Sequence, residues 1–147
     1  MTMSVREIQP TDRPQWNVLW QGYLTFYKIT LPQATTETTW SRFFDAAEPV
    51  HCLVAEDNGQ LLGLVHYIFH RNTWMVGDVC YLEDLFTSPQ ARGQGVGRAL
   101  IEAVYDKARQ AGSSRVYWMT QESNAQAMLL YDKVAAKPGF LQYRQNL

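Results

Sequence analysis

Gly93, Gly95 and Gly97 stand at alternate positions in Arg92-Gly-Gln-Gly-Val-Gly-Arg98, between an apolar stretch and a segment of helical periodicity. That arrangement suits one kind of chemistry, the binding of a phosphate or pyrophosphate. A turn that opens directly into a helix leaves several backbone N–H groups unpaired and pointing the same way. The helix dipole adds positive potential at the same end. Without Cβ atoms, the turn admits a ligand close to its backbone. Arg92 and Arg98 flank the turn as charged donors to phosphate oxygens, with Gln94 and Val96 between the glycines. Two other phosphate loops do not fit. A nucleoside-triphosphate loop ends in Gly-Lys-Ser/Thr, whereas Gly97 is followed by Arg98 and Ala99. A dinucleotide fingerprint needs G-x-G-x-x-G inside an early βαβ unit. The spacing here is different, and nothing upstream reads as such a unit.

The elements around the turn follow from periodicity. Tyr81-Leu-Glu-Asp-Leu-Phe-Thr87 reads as the end of a strand running from 76 to 87. After the turn, Val96, Leu100, Val104 and Ala108 recur every four residues as one apolar helical stripe, and Gly112 marks its stop. Upstream, 4–8 reads as a first strand. A helix carrying Trp16, Leu19, Trp20, Tyr23, Phe26 and Tyr27 follows. Trp16, Leu19 and Trp20 suit the core, while Tyr23, Phe26 and Tyr27 lie where they can wall a cleft. A second helix is expected over 36–47, with Trp40, Phe43 and Phe44 on one face. Strands at 50–55 and 60–71 are joined by an Asn58-Gly59 reversal. A strand at 115–120, a helix capped by Ser123 or Asn124 and running to about 133, and a last strand at 140–143 complete the chain. The order β-α-α-β-β-β-α-β-α-β predicts a single α/β domain over residues 1–147, a mixed sheet with helices on both faces.

Composition narrows the function. The chain has 147 residues, 46% of them hydrophobic and 18% charged, which suits one domain with a real core. A net charge of −1 argues against a general nucleic-acid binder. No apolar run approaches the roughly 18 residues of a membrane span, so no membrane partner and a cytoplasmic location are expected. Cys52 and Cys80 lack C-x-x-C spacing and read as free buried thiols. His51, His66 and His70 form no metal pattern, and no metal is expected.

The pattern Arg92-Gly-Gln-Gly-Val-Gly97, with Leu82-Glu-Asp-Leu-Phe-Thr87 before it, resembles the signature of the GNAT superfamily of acyl-CoA-dependent N-acetyltransferases. The element order matches over essentially the whole chain. The resemblance implies a splayed sheet that takes acetyl-CoA into its V. Leu85, Phe86 and Thr87 would then pair with the pantetheine arm. N–H groups from Gly93 to Arg98 would hold the pyrophosphate, and Lys133 and Lys137 would meet the 3′-phosphate. Asn124, Ala127 and Tyr131 would lie along the cofactor, Tyr131 near the sulfur. Two branches of the family are similar. The diamine acetyltransferase-like branch shares Leu-Glu-Asp-Leu-Phe, Arg-Gly-x-Gly-x-Gly, and Asn followed seven residues later by Tyr. It implies an acceptor pocket of Tyr27, Glu83, Tyr117 and Trp118, but Lys28 stands where that branch carries an acid. A fungal subgroup that includes histone, polyamine and D-amino-acid acetyltransferases is similar over Val116-Tyr-Trp-Met-Thr-Gln-Glu-Ser-Asn124, Leu129-Leu-Tyr131 and Gly139-Phe-Leu-Gln-Tyr-Arg144. Glu83 stands where that subgroup carries an amide.

Amine acetylation needs a neutral amine, a stabilised oxyanion and a proton for the departing thiolate. Glu83 suits the first task as general base and a strand N–H near Phe86 the second. Tyr131 suits the third. Asp84, on strict strand alternation, would point to the opposite face and be structural. The expected activity is an acetyl-CoA-dependent N-acetyltransferase for a small amine, an amino acid or a protein lysine. A non-catalytic acyl-CoA-binding module on the same fold is the alternative. Exposed aromatics and family habit predict a homodimer.

Overall fold

In the computed structural model, which describes residues 2–147, five strands form one sheet in the order β1-β2-β3-β4-β5. They are β1 (Ser4–Glu7), β2 (Val50–Asp57), β3 (Gln60–His70), β4 (Val79–Thr87) and β5 (Val116–Tyr117). The first four pair antiparallel, and β4 pairs β5 in parallel. Asn58 and Gly59 both take positive φ (50° and 81°), as the tight reversal between β2 and β3 requires. The helices are α1 (Arg13–Phe26), α2 (Gln33–Arg42), α3 (Val96–Gln110) and α4 (Ala125–Val134).

Two apolar layers sandwich the sheet. On one face the predicted stripe of α3, with Ile101 beside it, is buried against Leu53, Val65, Tyr67 and Leu82. Each such side chain contributes about 1.5–3 kcal/mol by leaving water. On the other face, Trp16, Leu19, Trp20 and Leu24 of α1 pack on Val54, Leu64 and Phe86. Gly63 of β3 lets α3 approach: a Cβ there would sit 2.7 Å from the Phe86 carbonyl oxygen and 2.9 Å from Val96 Cγ1.

Four boundaries differ from the sequence expectation. Helix α2 begins directly after Pro32 and stops before Phe43, so Phe43 and Phe44 lie beyond it. There the Asp45 carboxylate accepts the Ala47 N–H, a local side-chain turn that competes with the helix. Strand β4 begins at Val79 rather than 76, because Asn72 Oδ1 accepts the Trp74 N–H and folds the preceding segment into turns. Strand β5 is confined to Val116–Tyr117. The expected strand at 140–143 does not form; Phe140 is 77% and Tyr143 95% exposed. A strand exists only with a ladder partner, and the short β5 offers almost none within this chain.

Candidate active site

The register of β3 against β4 creates the site. His66 lies opposite Asp84 and Tyr67 opposite Leu82, so Glu83 is an extra residue without a partner. Such a bulge bends its strand and re-aims side chains. Here it aims both Glu83 and Asp84 at one cavity of about 240 Å³ between α1, α2 and the sheet, lined also by Trp20, Thr39, Arg42 and His66. Strict alternation had put Asp84 on the opposite face; the bulge cancels that alternation.

Asp84 is held firmly. His66, 2% exposed, accepts the Trp16 indole N–H at its Nε2 (3.1 Å). An indole can only donate, so the remaining ring proton is on Nδ1 and is donated to Asp84 Oδ2 at 2.9 Å. The Tyr23 hydroxyl also reaches Asp84; burial first, then that carboxylate, raises the Tyr23 hydroxyl far above its usual range. Tyr27, at the end of α1, is raised by burial and then by Asp84.

Glu83 is different. It accepts no hydrogen bond and forms no ion pair among the described residues. It is open to solvent at the cavity mouth, yet walled closely enough that desolvation, then the Asp84 charge, raises its carboxyl above the ordinary range. Tyr117 lies near it, stacked on Tyr81 at 4.9 Å with its hydroxyl 2.7 Å from His70 Nε2. Trp118 lies elsewhere, 5.4 Å from the Tyr131 ring and 6.5 Å from Tyr105. Lys28 is exposed and does not line the cavity.

Beyond Tyr81, β4 parts from β5, which leaves an unpaired outer edge from Leu82 through Leu85 and Phe86 to Thr87. At its end lies the glycine turn. Gly95 caps α3 with φ 83°, a left-handed value that favours glycine. The backbone N–H groups from Arg92 to Arg98 make no backbone hydrogen bond. Arg92 folds back over the strand end: its Nε donates to the Thr87 carbonyl (3.3 Å) and its guanidinium lies 5.7 Å from the Phe86 ring centre. Arg98 donates to Glu102 at 2.9 Å, and Gln94 donates to the Gln90 carbonyl.

Helix α4 flanks this edge. Asn124, Ala127 and Tyr131 fall on its inner face, Asn124 donating to Thr120 Oγ1 at 3.3 Å. No residue of α4 is fully buried, although Leu130 comes close to Gly97 and the Tyr105 hydroxyl donates to the Val134 carbonyl. The Tyr131 hydroxyl makes no protein hydrogen bond among the described residues. Burial, then Tyr27, pushes it up to about 12, so it stays protonated at neutral pH.

The model of the Acetyltransferase (GNAT) family matches residues 13–136. The chain belongs to this family. It is an acetyl-CoA-dependent N-acetyltransferase that acetylates amines. This GNAT enzyme is 40% identical over 144 residues to the D-amino-acid N-acetyltransferase HPA3 of Saccharomyces cerevisiae, covering 97% of this chain and 89% of that one. It is 36% identical over 107 residues to the thialysine N-epsilon-acetyltransferase of Mus musculus, covering 64% and 62% of the two chains. The aminoglycoside acetyltransferase AAC(6')-Iy, solved with a bisubstrate analogue of coenzyme A, shares the fold. Its TM-score is 0.86 at 17% identity, over 100% of this chain and 99% of that one.

The residues fit the cofactor of a GNAT enzyme. An open strand edge suits an arm rich in amides, and a run of unpaired N–H groups at a helix N-terminus suits a pyrophosphate. The residues missed from sequence are His66, Asp84, Arg42 and Thr39. His66 lay inside an apolar run, where a polar side chain signals a buried hydrogen-bond partner. Arg42 and Thr39 carried no local signal.

Proposed function

We propose that this N-acetyltransferase holds a small primary amine in the cavity beside the β4 bulge, with Glu83 as base and Tyr131 as acid. The observation that supports the reading is an unpartnered, raised carboxylate on β4, beside the edge that β5 leaves open, together with an unpartnered, protonated hydroxyl on the flanking α4. Acetyl-CoA supplies the acetyl thioester. Leu85, Phe86 and Thr87 hold its pantetheine arm, and Arg92, Gly93, Gln94, Gly95, Val96, Gly97 and Arg98 its pyrophosphate. Asn124 and Ala127 line its other side. Alignment of this kind lowers a barrier by up to about 7–11 kcal/mol.

The acceptor arrives as an ammonium and must lose a proton before its lone pair is available. Glu83 takes that proton, and its raised carboxyl is the stronger base for it. A strand N–H near Phe86 donates to the acyl oxygen as negative charge develops there. Tyr131 gives its proton to the departing sulfur and is reprotonated by the second proton that the nitrogen sheds as the amide forms. Tyr27, Tyr117 and the Glu83 carboxylate border the acceptor. Trp118 acts indirectly by backing Tyr131, and Lys28, exposed next to Tyr27, meets the acceptor only from outside the cavity. The names of the yeast and mouse relatives favour a free amino acid as acceptor over a protein lysine.

Two further parts of this reading concern the cell. A reducing, cytoplasmic compartment accords with the free buried thiols Cys52 and Cys80; no helix among the described residues is long and apolar enough to cross a membrane. A homodimer would cover the exposed apolar tail.

The experiment is thiol release from acetyl-CoA with a panel of amines. Tyr131→Phe should lower kcat by about 10²–10⁴ and leave acetyl-CoA affinity nearly unchanged. Unchanged turnover would remove Tyr131 from the mechanism.

A further inference from the structure

The cavity beside Glu83 carries a second, loosely paired charge. Arg42 ends α2 and lines the same cavity, together with Thr35 and Thr39. Its only acidic neighbour among the described residues is Glu48, 3.8 Å from Nε, and its terminal nitrogens make no hydrogen bond. Half of the side chain is open to solvent. Arg42 thus lines the cavity with terminal N–H donors that make no hydrogen bond among the described residues, and a guanidinium of this kind takes a carboxylate through two parallel bonds.

The two carboxylates there are not equivalent. Asp84 is engaged by His66 at 2.9 Å, whereas Glu83 is free. One anion without an ion-pair partner among the described residues and one cation held only by a loose Nε contact to Glu48 thus line a single small space. A zwitterion complements that pattern: its ammonium meets Glu83 and its carboxylate meets Arg42. A diamine does not, because Arg42 would repel its second ammonium. The lysine of a peptide does not use it either, since its backbone carboxyl is blocked as an amide.

Resting on the assignment of Glu83 to the acceptor amine, we infer that Arg42 is a specificity-determining residue. It binds the carboxylate of a free amino acid acceptor and turns the enzyme away from polyamines and peptides. Thr35 and Thr39 offer hydroxyls to the same carboxylate from successive turns of α2.

The test pairs acceptors that differ only at the carboxyl group. D- and L-amino acids are each compared with their own carboxamides, and a diamine is included. The wild-type enzyme should prefer acid over amide. Arg42→Ala should lose about ten- to a hundredfold in kcat/KM on the acid, chiefly through KM, with the amide changed less than about twofold. Retained amide turnover shows that the variant is folded. Arg42→Lys should restore part of the loss, and Arg42→Glu should improve the diamine. Equal losses on acid and amide, or a wild-type enzyme indifferent to the carboxylate, would overturn the inference. That result is separable from failure of the Glu83 assignment, which shows as an unaltered Glu83→Gln enzyme. Direct binding titrations of acid and amide supply the same ranking without turnover, and an absence of preference there overturns the inference as well.

Discussion

At Glu83 and Asp84, two adjacent carboxylates share one cavity and have been given different environments. His66 holds Asp84 in place. Glu83 has no such partners, and desolvation followed by the Asp84 charge raises it. The sign of the pH dependence follows. Glu83 must be unprotonated to accept a proton, so kcat/KM should fall as pH drops through its raised value. Asp84→Asn removes the like charge while its amide oxygen still accepts the His66 N–H. The acid limb of the pH–rate profile should then move to lower pH. A limb that stays put or moves up would show that Asp84 does not act on the base. The same pair shows why Asp84 could not be assigned from sequence: alternation is a rule for regular strands, and one unpaired residue reverses it downstream.

At the scale of elements, the ends of α1 hold the walls of the site. At its C-terminus the Ile29 N–H donates to the Leu24 carbonyl and the Lys28 N–H to the Thr25 carbonyl, a paired closure that places Lys28 at φ 57°. A side chain there is disfavoured by about 1–2 kcal/mol. Lys28→Gly should raise the unfolding free energy by about 1 kcal/mol in urea titrations, and a lower value would contradict the closure. Before the N-terminus of α1, Asp12 accepts two bonds from Arg6 (2.8 and 2.9 Å) and one from the Gln9 N–H (2.8 Å). The Arg6 bonds, the largest cause, hold its carboxyl below the ordinary range. This stabilisation is complete above the unfolded value of about 3.9 and is lost as pH falls through the lower folded value. Asp12→Ala, which leaves Arg6 with Glu56 alone, should cost about 3 kcal/mol. A loss below 1 kcal/mol would mean that Glu56 suffices.

At the scale of the whole molecule, the fold is a scaffold that leaves two things unfinished. The outer edge of β4 is open where β5 departs, and the tail from Ala135 onward carries exposed Phe140, Leu141 and Tyr143. In the proposed reading the open edge takes the cofactor. In the proposed homodimer the tail is covered by the second copy. Truncation after Lys137 should leave the melting transition intact and convert a dimer to a monomer in sedimentation equilibrium. A full-length chain that sediments as a monomer would remove dimerisation from the account.

What the amino-acid sequence determined by itself is whatever depends on near neighbours. The stripe of α3, the glycine turn that caps it, the Asn58-Gly59 reversal and the aromatic core face of α1 are set by residues a few positions apart, and the structure has them all. The helix-capping glycine at Gly95 was legible for the same reason. Only the tertiary structure decided the rest. The extra residue in β4 exists relative to β3, some twenty positions away in the chain. The triad of Trp16, His66 and Asp84 joins three elements, and Arg42 and Glu83 line one cavity only because the fold brings α2 beside the sheet. The missing last strand makes the same point from the other side: its residues suit a strand, but a strand needs a partner, and no local pattern says whether one will be there.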